Sequence, residues 1–168
     1  MVDWMQRYCD PINPRLAAPF VAQVGRNRWR VATNGQHLVA VAAEDHALQI
    51  ESPDIPVAWF ASTPRRFNLA KLRRILGPGP LSMNRGYSER GTIEIDEAKY
   101  DQSRLAFALS HWRRGAVGVT TLEAMGVTGL QEHLPGKILR VCGDGWRVVL
   151  MSLRYDAPAP LSQWRTHD

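Results

Sequence analysis

The sequence contains two stretches that each predict a β-hairpin, and this pair constrains the fold more than any other feature. Residues 29–41 read WRVATNGQHLVAV and residues 139–151 read LRVCGDGWRVVLM. Asn-Gly and Asp-Gly supply the positive backbone angles of a tight turn, and apolar, largely β-branched runs flank them. Unrelated hairpins share these features, whereas an internal duplication would give a repeated β-rich module. At an offset of 110 positions (139 − 29), the alignment pairs Arg30 with Arg140, Val31 with Val141, Asn34 with Asp144, Gly35 with Gly145 and Val39 with Val149.

Length and composition predict one domain. The 168 residues are 45% hydrophobic, which is sufficient for a buried core, and domains commonly hold about 100–200 residues. No linker divides the chain, so we expect a single domain over residues 1–160 and a tail over residues 161–168. Strand patterns outnumber helical ones, and this predicts an α+β fold in which antiparallel sheets have one or two helices on one face.

The cysteines and the apolar runs indicate the environment of the protein. Cys9 and Cys142 have neither Cys-x-x-Cys spacing nor a histidine at metal-ligand spacing, so we expect no disulfide framework, no metal and no cofactor. The N-terminus lacks an apolar run of signal-peptide type, and no segment approaches the roughly 18 apolar residues of a membrane span. These patterns predict a cytoplasmic protein without a membrane partner.

The net charge of +5 is concentrated in one window of the sequence. Residues 64–91 contain seven basic residues and one acid, which leaves the rest of the chain close to neutral. A local cationic stripe is typical of a surface that contacts phosphates, although a solvated charged face gives the same pattern. Residues 111–114, HWRR, add a smaller basic cluster beside an aromatic residue. The candidate nucleic-acid contacts are Arg65, Arg66, Lys71, Arg73, Arg74, Arg85, Arg113 and Arg114.

Residues 68–76 give the clearest helical pattern. Asn68 is a suitable N-cap, and the apolar residues that follow fall on one face at helical spacing. Lys71 and Arg74 lie on the opposite face, with Arg73 at its border, and a Gly-Pro-Gly-Pro run ends the helix. The apolar face is expected to pack on a sheet while the cations point outward.

The other predicted elements are mainly strands. Beyond the two hairpins, the patterns favour strands at residues 19–24, 57–60, 80–83, 92–96 and 103–109, with the second hairpin extending over residues 137–155. Helices are predicted in two further places. One is a short helix on which Trp4, Met5 and Tyr8 share a face, and the other begins at Thr120 or Thr121 and reaches about His133.

The sequence gives little indication of catalysis. The five histidines are isolated, and neither a Gly-x-Ser-x-Gly nucleophile motif nor a phosphate-binding Gly-Lys-Ser/Thr loop is present. Glu94 and Asp96 are predicted to share one face of a strand, where a solvent-facing edge is favoured over an acid/base site. We therefore expect no enzymatic activity. A hydrolase or nuclease site that only the fold assembles remains an alternative.

Four segments resemble parts of a known family, and the first of them is the predicted strand at residues 19–24 with its turn, which is similar to the strand that leads into the family's signature. Residues 30–41, RVATNGQHLVAV, resemble the Ala-Thr-Asp-Gly-His-Arg-Leu-Ala signature of bacterial polymerase III sliding clamps. Residues 65–76 resemble the clamp segment in which a strand runs into a helix, and residues 148–154 are similar to the closing strand of the clamp. Asn34, His37 and Ser152 depart from the Asp, Arg and Pro of the family, and the chain is too short for three clamp domains.

The resemblance implies a non-catalytic protein of DNA replication that binds duplex DNA and needs several copies to form a ring, as a homo-oligomer. It also implies a pocket for short peptides of replication or repair proteins. An apolar residue at alternate positions of a strand is more often core than pocket. A different class of function, a regulatory module whose basic stripe binds an acidic protein, remains open. The candidate peptide-binding residues are Thr33, Gly35, His37, Leu38, Val149, Met151 and Leu153.

Overall fold

The computed structural model describes residues 3–43, 55–77, 91–123 and 136–153. These residues form an α+β fold with nine strands, two α-helices and two short 3-10 helices. The strands are β1 (Phe20–Val24), β2 (Asn27–Thr33), β3 (His37–Ala42), β4 (Phe67–Asn68), β5 (Thr92–Ile95), β6 (Ala98–Asp101), β7 (Ala116–Glu123), β8 (Lys137–Gly143) and β9 (Trp146–Met151), and the helices are α1 (Leu69–Leu76) and α2 (Gln102–Leu109). The strand predicted at residues 80–83 and the tail predicted at residues 161–168 lie outside the described residues.

Seven strands form one antiparallel sheet in the order β1, β2, β3, β9, β8, β7, β4, and β5 pairs with β6 as a separate hairpin. The two predicted hairpins are β2 with β3 and β8 with β9, and both are confirmed. Their inner strands, β3 and β9, are hydrogen-bonded to each other. The two hairpins therefore form four consecutive strands in the middle of the described sheet.

The sheet is covered differently on its two faces. Leu72 of α1 and Leu105 of α2 pack with Val39 and Val148 in one core, which also includes residues of the N-terminal 3-10 helix, Trp4–Tyr8. On the opposite face, Val31, Leu38 and Val149 pack with Phe60, which follows the second 3-10 helix, Val57–Trp59. Because side chains alternate along a strand, each central strand contributes to both cores. Both α-helices lie on one face of the sheet, as the sequence predicts.

The predicted helix at residues 68–76 is confirmed together with its cap. The Asn68 side chain accepts hydrogen bonds from the backbone N–H groups of Ala70 at 2.9 Å and Lys71 at 3.3 Å. At the other end, Gly77 has a positive φ of 73°, and its N–H donates to the carbonyl of Arg73. An asparagine cap contributes about 1 kcal/mol to helix stability relative to alanine. Strand β4 and α1 are consecutive, so the helix begins directly at the sheet edge.

The strand predicted at residues 103–109 is wrong, because these residues form α2. Asp101 ends β6 and caps the helix, since its carboxylate accepts a hydrogen bond from the N–H of Arg104 at 2.9 Å. The sequence SRLAFAL is almost entirely apolar, and Leu105 and Leu109 are fully buried. A short apolar run of this kind fits a buried strand or a buried helix equally well.

Two other predicted elements are also wrong. Residues 120 and 121 do not begin a helix but belong to β7, where Thr120 pairs with Arg140 and Thr121 with Leu139. Their β-branched side chains suit a pleated strand. The strand predicted at residues 57–60 is a 3-10 helix after Pro56. Leu122 and Glu123 also belong to β7, and the rest of the helix predicted to reach about residue 133 lies outside the described residues.

Glu94 and Asp96 do not share a strand face. Strand β5 ends at Ile95, and Asp96 lies in the turn before β6 with a positive φ of 48°. Its carboxylate accepts a hydrogen bond from the Thr121 hydroxyl at 2.6 Å, which ties the small hairpin to β7. Aspartate tolerates the left-handed conformation better than most residues, which explains why the strand ends there.

The two hairpins correspond at an offset of 109 positions and not 110. Thr33 pairs with Leu38, and a shift of 109 maps this pair onto Cys142 and Arg147, which are also partners. A shift of 110 gives residues 143 and 148, which are not partners. The predicted strand equivalences are therefore wrong by one residue, and such a slip exchanges the two faces of a sheet. The turn glycines caused the slip, because three residues separate β2 from β3 but only two separate β8 from β9.

Candidate nucleic-acid interface

The cationic residues predicted from two separate stretches lie side by side at the β4 edge of the sheet. The N–H of Arg66 donates to the carbonyl of Val117 at 2.9 Å, and the N–H of Leu69 donates to the carbonyl of Gly115, also at 2.9 Å. These bonds place the start of α1 beside the turn that contains Arg113 and Arg114. We call the set Arg65, Arg66, Lys71, Arg73, Arg74, Arg113 and Arg114 the cationic surface.

Helix α1 presents its cations as the sequence predicts. Lys71 and Arg74 are exposed, whereas Arg73 is half-buried. A guanidinium N–H of Arg73 donates to the carbonyl of Trp112 at 3.3 Å, so the last turn of α1 is also tied to the turn after α2. Arg73 and Arg74 lie in the last helical turn, where a positive charge is favoured by the helix dipole. The dipole of α1 explains why cations are favoured at its end. It does not explain the two further arginines, Arg113 and Arg114, which are not part of this helix.

The two segments that form this edge contain no acid. Residues 61–77 and 110–118 include all seven members of the cationic surface and neither aspartate nor glutamate. Arg65, Arg66, Arg113 and Arg114 are exposed. Like charges at close range raise the local potential and attract polyanions. Arg85, the remaining predicted contact, lies outside the described residues.

Arg65 lies at the border of this surface. It lines a cavity of about 130 Å³ whose wall also includes Asp144, at the β8–β9 turn. The acid on the same cavity reduces the positive potential near Arg65. The strongest positive charge is therefore expected over α1 and the turn at residues 113 and 114.

A cluster of aromatic rings adjoins the cationic surface. Trp4 stacks on His111 with ring centroids 4.1 Å apart, and it meets Trp112 edge-on at 5.8 Å. Trp112 in turn stacks on the buried Trp146 at 4.2 Å, nearly parallel at 13°. Trp4, His111 and Trp112 are all half-buried. We call these three residues the aromatic cluster.

The sequence did not predict that Trp4, His111 and Trp112 lie together. Trp4 and His111 are more than 100 positions apart, and no spacing rule connects them. The HWRR segment was recognised in the sequence as a basic cluster beside an aromatic residue. The N-terminal segment was recognised as a short helix with an aromatic face. The contact between this face and the end of α2 is what the sequence did not indicate.

Two histidines near this cluster are held neutral. Burial, followed by the charge of Arg104, lowers the pKa of His37 to about 3. Burial, followed by the charge of Arg7, lowers the pKa of His111 to about 4. His111 Nε2 and the Tyr8 hydroxyl are hydrogen-bonded at 2.7 Å, and burial raises the pKa of Tyr8. Neither histidine contributes positive charge at neutral pH.

The candidate peptide-binding residues are divided between the two faces of the sheet. His37 is buried on the helix side, where its ring meets Tyr8 at 5.5 Å, whereas Leu38 points to the opposite face. Leu38 and Val149 are strand partners and each is only 2% exposed. Thr33 is also buried, and its hydroxyl donates to the carbonyl of His37 at 2.7 Å.

A partner therefore has no access to Thr33, His37, Leu38 or Val149 in this structure. The accessible members are Gly35 at the first turn, the half-buried Met151 and the exposed Leu153. Met151 and Val149 lie on the same face, as the strand pattern predicts, but Leu153 follows the end of β9. A peptide pocket that uses the whole set does not fit this arrangement. Peptide binding at the three accessible residues stays a prediction.

Among the described residues, no group of three or more His, Cys, Asp or Glu side chains is placed to hold a metal ion. Within the same ranges, no helix has both the length and the apolar character needed to cross a membrane. Comparisons with protein families, curated proteins and solved structures give no match. The clamp resemblance therefore stays a prediction.

Proposed function

We propose that this protein binds nucleic acid without catalysing a reaction, through phosphate contacts at the cationic surface. The observation that supports this function is the convergence of seven cations on one edge of the sheet, from two distant segments that themselves contain no acid. Two backbone hydrogen bonds and the Arg73 bond hold the segments together, so the charges are arranged before a ligand arrives. Such preorganisation lowers the entropy lost on binding.

Phosphate contacts of this kind give affinity without sequence preference. Each cation that neutralises a phosphate releases counterions, so binding weakens steeply as the salt concentration rises. Arginine suits this role because its planar guanidinium donates to two phosphate oxygens at once. We therefore expect binding that depends strongly on salt and weakly on base sequence.

The experiment compares two double variants that each remove two positive charges. Lys71→Gln/Arg74→Gln changes exposed residues of the cationic surface, and Arg15→Gln/Arg26→Gln changes exposed residues far from it in the sequence. Affinity for a fluorescent DNA of 20 base pairs is measured by anisotropy at fixed salt. The first variant should lose about tenfold or more, because two phosphate contacts are removed, and the control should change much less.

Two results would contradict the proposal. Equal losses in the two variants would show that only net charge matters. Tight binding to an acidic polypeptide of matched charge, without binding to DNA, would instead support the regulatory alternative in which the partner is an acidic protein. Circular dichroism of both variants confirms that the fold is retained.

Assembly of several copies into a ring, as the clamp resemblance implies, is a separate proposal. Light scattering of the purified protein would give the number of copies in solution. A stable dimer or larger closed oligomer supports it, and a monomer at the highest working concentration contradicts it.

A further inference from the structure

The aromatic cluster and the cationic surface are continuous along the chain. His111 and Trp112 immediately precede Arg113 and Arg114, and the carbonyl of Trp112 accepts the hydrogen bond from Arg73. Trp4 extends the cluster by stacking on His111. Arg7, which is exposed, lies close enough to His111 to influence its pKa. Cations are therefore present in both segments that contribute to the cluster, the N-terminal 3-10 helix and the turn after α2.

We propose that the aromatic cluster and the adjoining arginines form a binding site for single-stranded nucleic acid, with unpaired bases on the rings and phosphates on the cations. This inference rests on the proposed function, because it adds contacts between unpaired bases and the aromatic cluster to the phosphate contacts of the cationic surface. In a duplex, the faces of the bases stack on one another and are inaccessible to protein rings. Only unpaired bases offer a face to Trp4, His111 or Trp112.

The partial exposure of the three rings supports this assignment. Each of the three residues is half-buried, so part of its surface remains in contact with solvent. The buried side is accounted for by internal packing, since Trp112 stacks on Trp146 and Tyr8 contacts both Trp4 and His111. Aromatic platforms beside basic residues are the usual arrangement for binding single strands, and they are tolerant of sequence because every base has a π face.

The rings also fix the N-terminal 3-10 helix to the end of α2, and a purely structural role is the competing explanation. The two roles differ in what they predict for a ligand without bases. Stacking requires bases, whereas structural packing affects ligands with and without bases alike. An abasic oligonucleotide with the same number of phosphates separates the two explanations.

The experiment measures the affinity of the intact protein for oligothymidylate of 12 nucleotides, for an abasic oligomer of the same length and for a duplex. Oligothymidylate should bind about tenfold or more tighter than the abasic oligomer, as expected for one or two stacked bases. Trp112→Leu should remove most of this difference and leave the abasic affinity unchanged. Trp112→Phe should restore part of it. Trp59→Leu, on the opposite face of the sheet, serves as the matched control and should behave as the unmodified protein.

Each outcome has a distinct meaning. Equal binding of oligothymidylate and the abasic oligomer overturns this inference but not the proposed function. Failure of all three ligands to bind overturns both. If Trp112→Leu does not fold, the tryptophan fluorescence of the unmodified protein decides, because stacking quenches it with oligothymidylate and not with the abasic oligomer. An absence of this difference would also overturn the inference.

Discussion

Arginine has two different roles in two regions of this molecule. Arg113 and Arg114 are exposed in the turn after α2, whereas Arg140 and Arg147 are buried on strands β8 and β9. Arg147 uses its donors on the carbonyls of Phe60, Gly143 and Trp146 at 2.8–3.2 Å, and its guanidinium lies over the ring of Trp29. The buried pair holds the chain against the sheet, while the exposed pair remains accessible to solvent.

The difference lies in where the donors are satisfied. A buried guanidinium must be hydrogen-bonded, and the segment at residues 58–62 supplies acceptors for that purpose. Arg140 donates to the carbonyl of Ala58, and Arg147 to that of Phe60. Burial also lowers the pKa of Arg147. Neither buried side chain is available for a phosphate, so the number of arginines in a sequence overstates the binding surface.

Removal of a buried arginine should have the largest effect on stability. Arg147→Met keeps an unbranched apolar stem but removes the guanidinium donors from three carbonyls. We expect a loss of about 3 kcal/mol in the free energy of unfolding, measured by urea denaturation. Arg74→Met is the control and should change stability by less than about 0.5 kcal/mol. Similar losses in both variants would contradict the distinction between the two regions.

Substitution of the turn glycine in each hairpin should destabilise the fold through backbone strain. Gly35 and Gly145 have φ angles of 87° and 71°, which valine rarely adopts. A Cβ at Gly35 meets nothing within 4 Å, and one at Gly145 meets only Ala42 at 3.9 Å, so the cost is backbone strain. Each Gly→Val variant should lose about 1–3 kcal/mol in thermal or urea unfolding. Gly35→Asn should lose less, and an equal loss would exclude backbone conformation as the cause.

Two histidines should make the free energy of unfolding depend on pH. The pKa values of His37 and His111 are lowered in the folded protein to about 3 and about 4. The unfolded chain therefore binds protons that the folded chain does not, and stability falls as the pH drops below about 6.5. Each histidine contributes a slope of at most about 1.4 kcal/mol per pH unit.

His37→Phe removes one of these contributions. Between pH 6 and pH 5, its unfolding free energy should fall less steeply than that of the unmodified protein, as measured by urea denaturation at each pH. His46→Phe, in which a different histidine is replaced, is the comparison. An unchanged slope in His37→Phe would show that His37 is not held neutral by the fold.

The sequence predicts some parts of this molecule because their signals are local. Asn68, the apolar stripe and the Gly-Pro run define α1 completely, and the Asn-Gly and Asp-Gly turns define both hairpins. Helix α2 was mistaken for a strand because its apolar run has no clear period. The offset of 109 and not 110 positions between the two hairpins depends on strand pairing, which the amino-acid sequence alone does not show.

In the candidate site, too, features with a local signal were predictable and features that depend on distant contacts were not. The cations of α1 were predicted because a helix with one apolar face must expose the other. Their approach to Arg113 and Arg114 depends on the pairing of β4 with β7, two strands about 50 positions apart in the sequence. The burial of Leu38 and Val149 depends on the chain segment at residues 55–60, which covers that face. Contacts between distant segments of the chain are what the sequence could not supply.

The salt dependence of DNA binding measures how many phosphate contacts α1 contributes. The logarithm of the binding constant is plotted against the logarithm of the salt concentration for the unmodified protein and for Lys71→Gln/Arg74→Gln. We expect the slope of the variant to be smaller in magnitude by about two, because each lost phosphate contact removes roughly 0.9. An unchanged slope in the folded variant would contradict the assignment of α1 to the nucleic-acid interface.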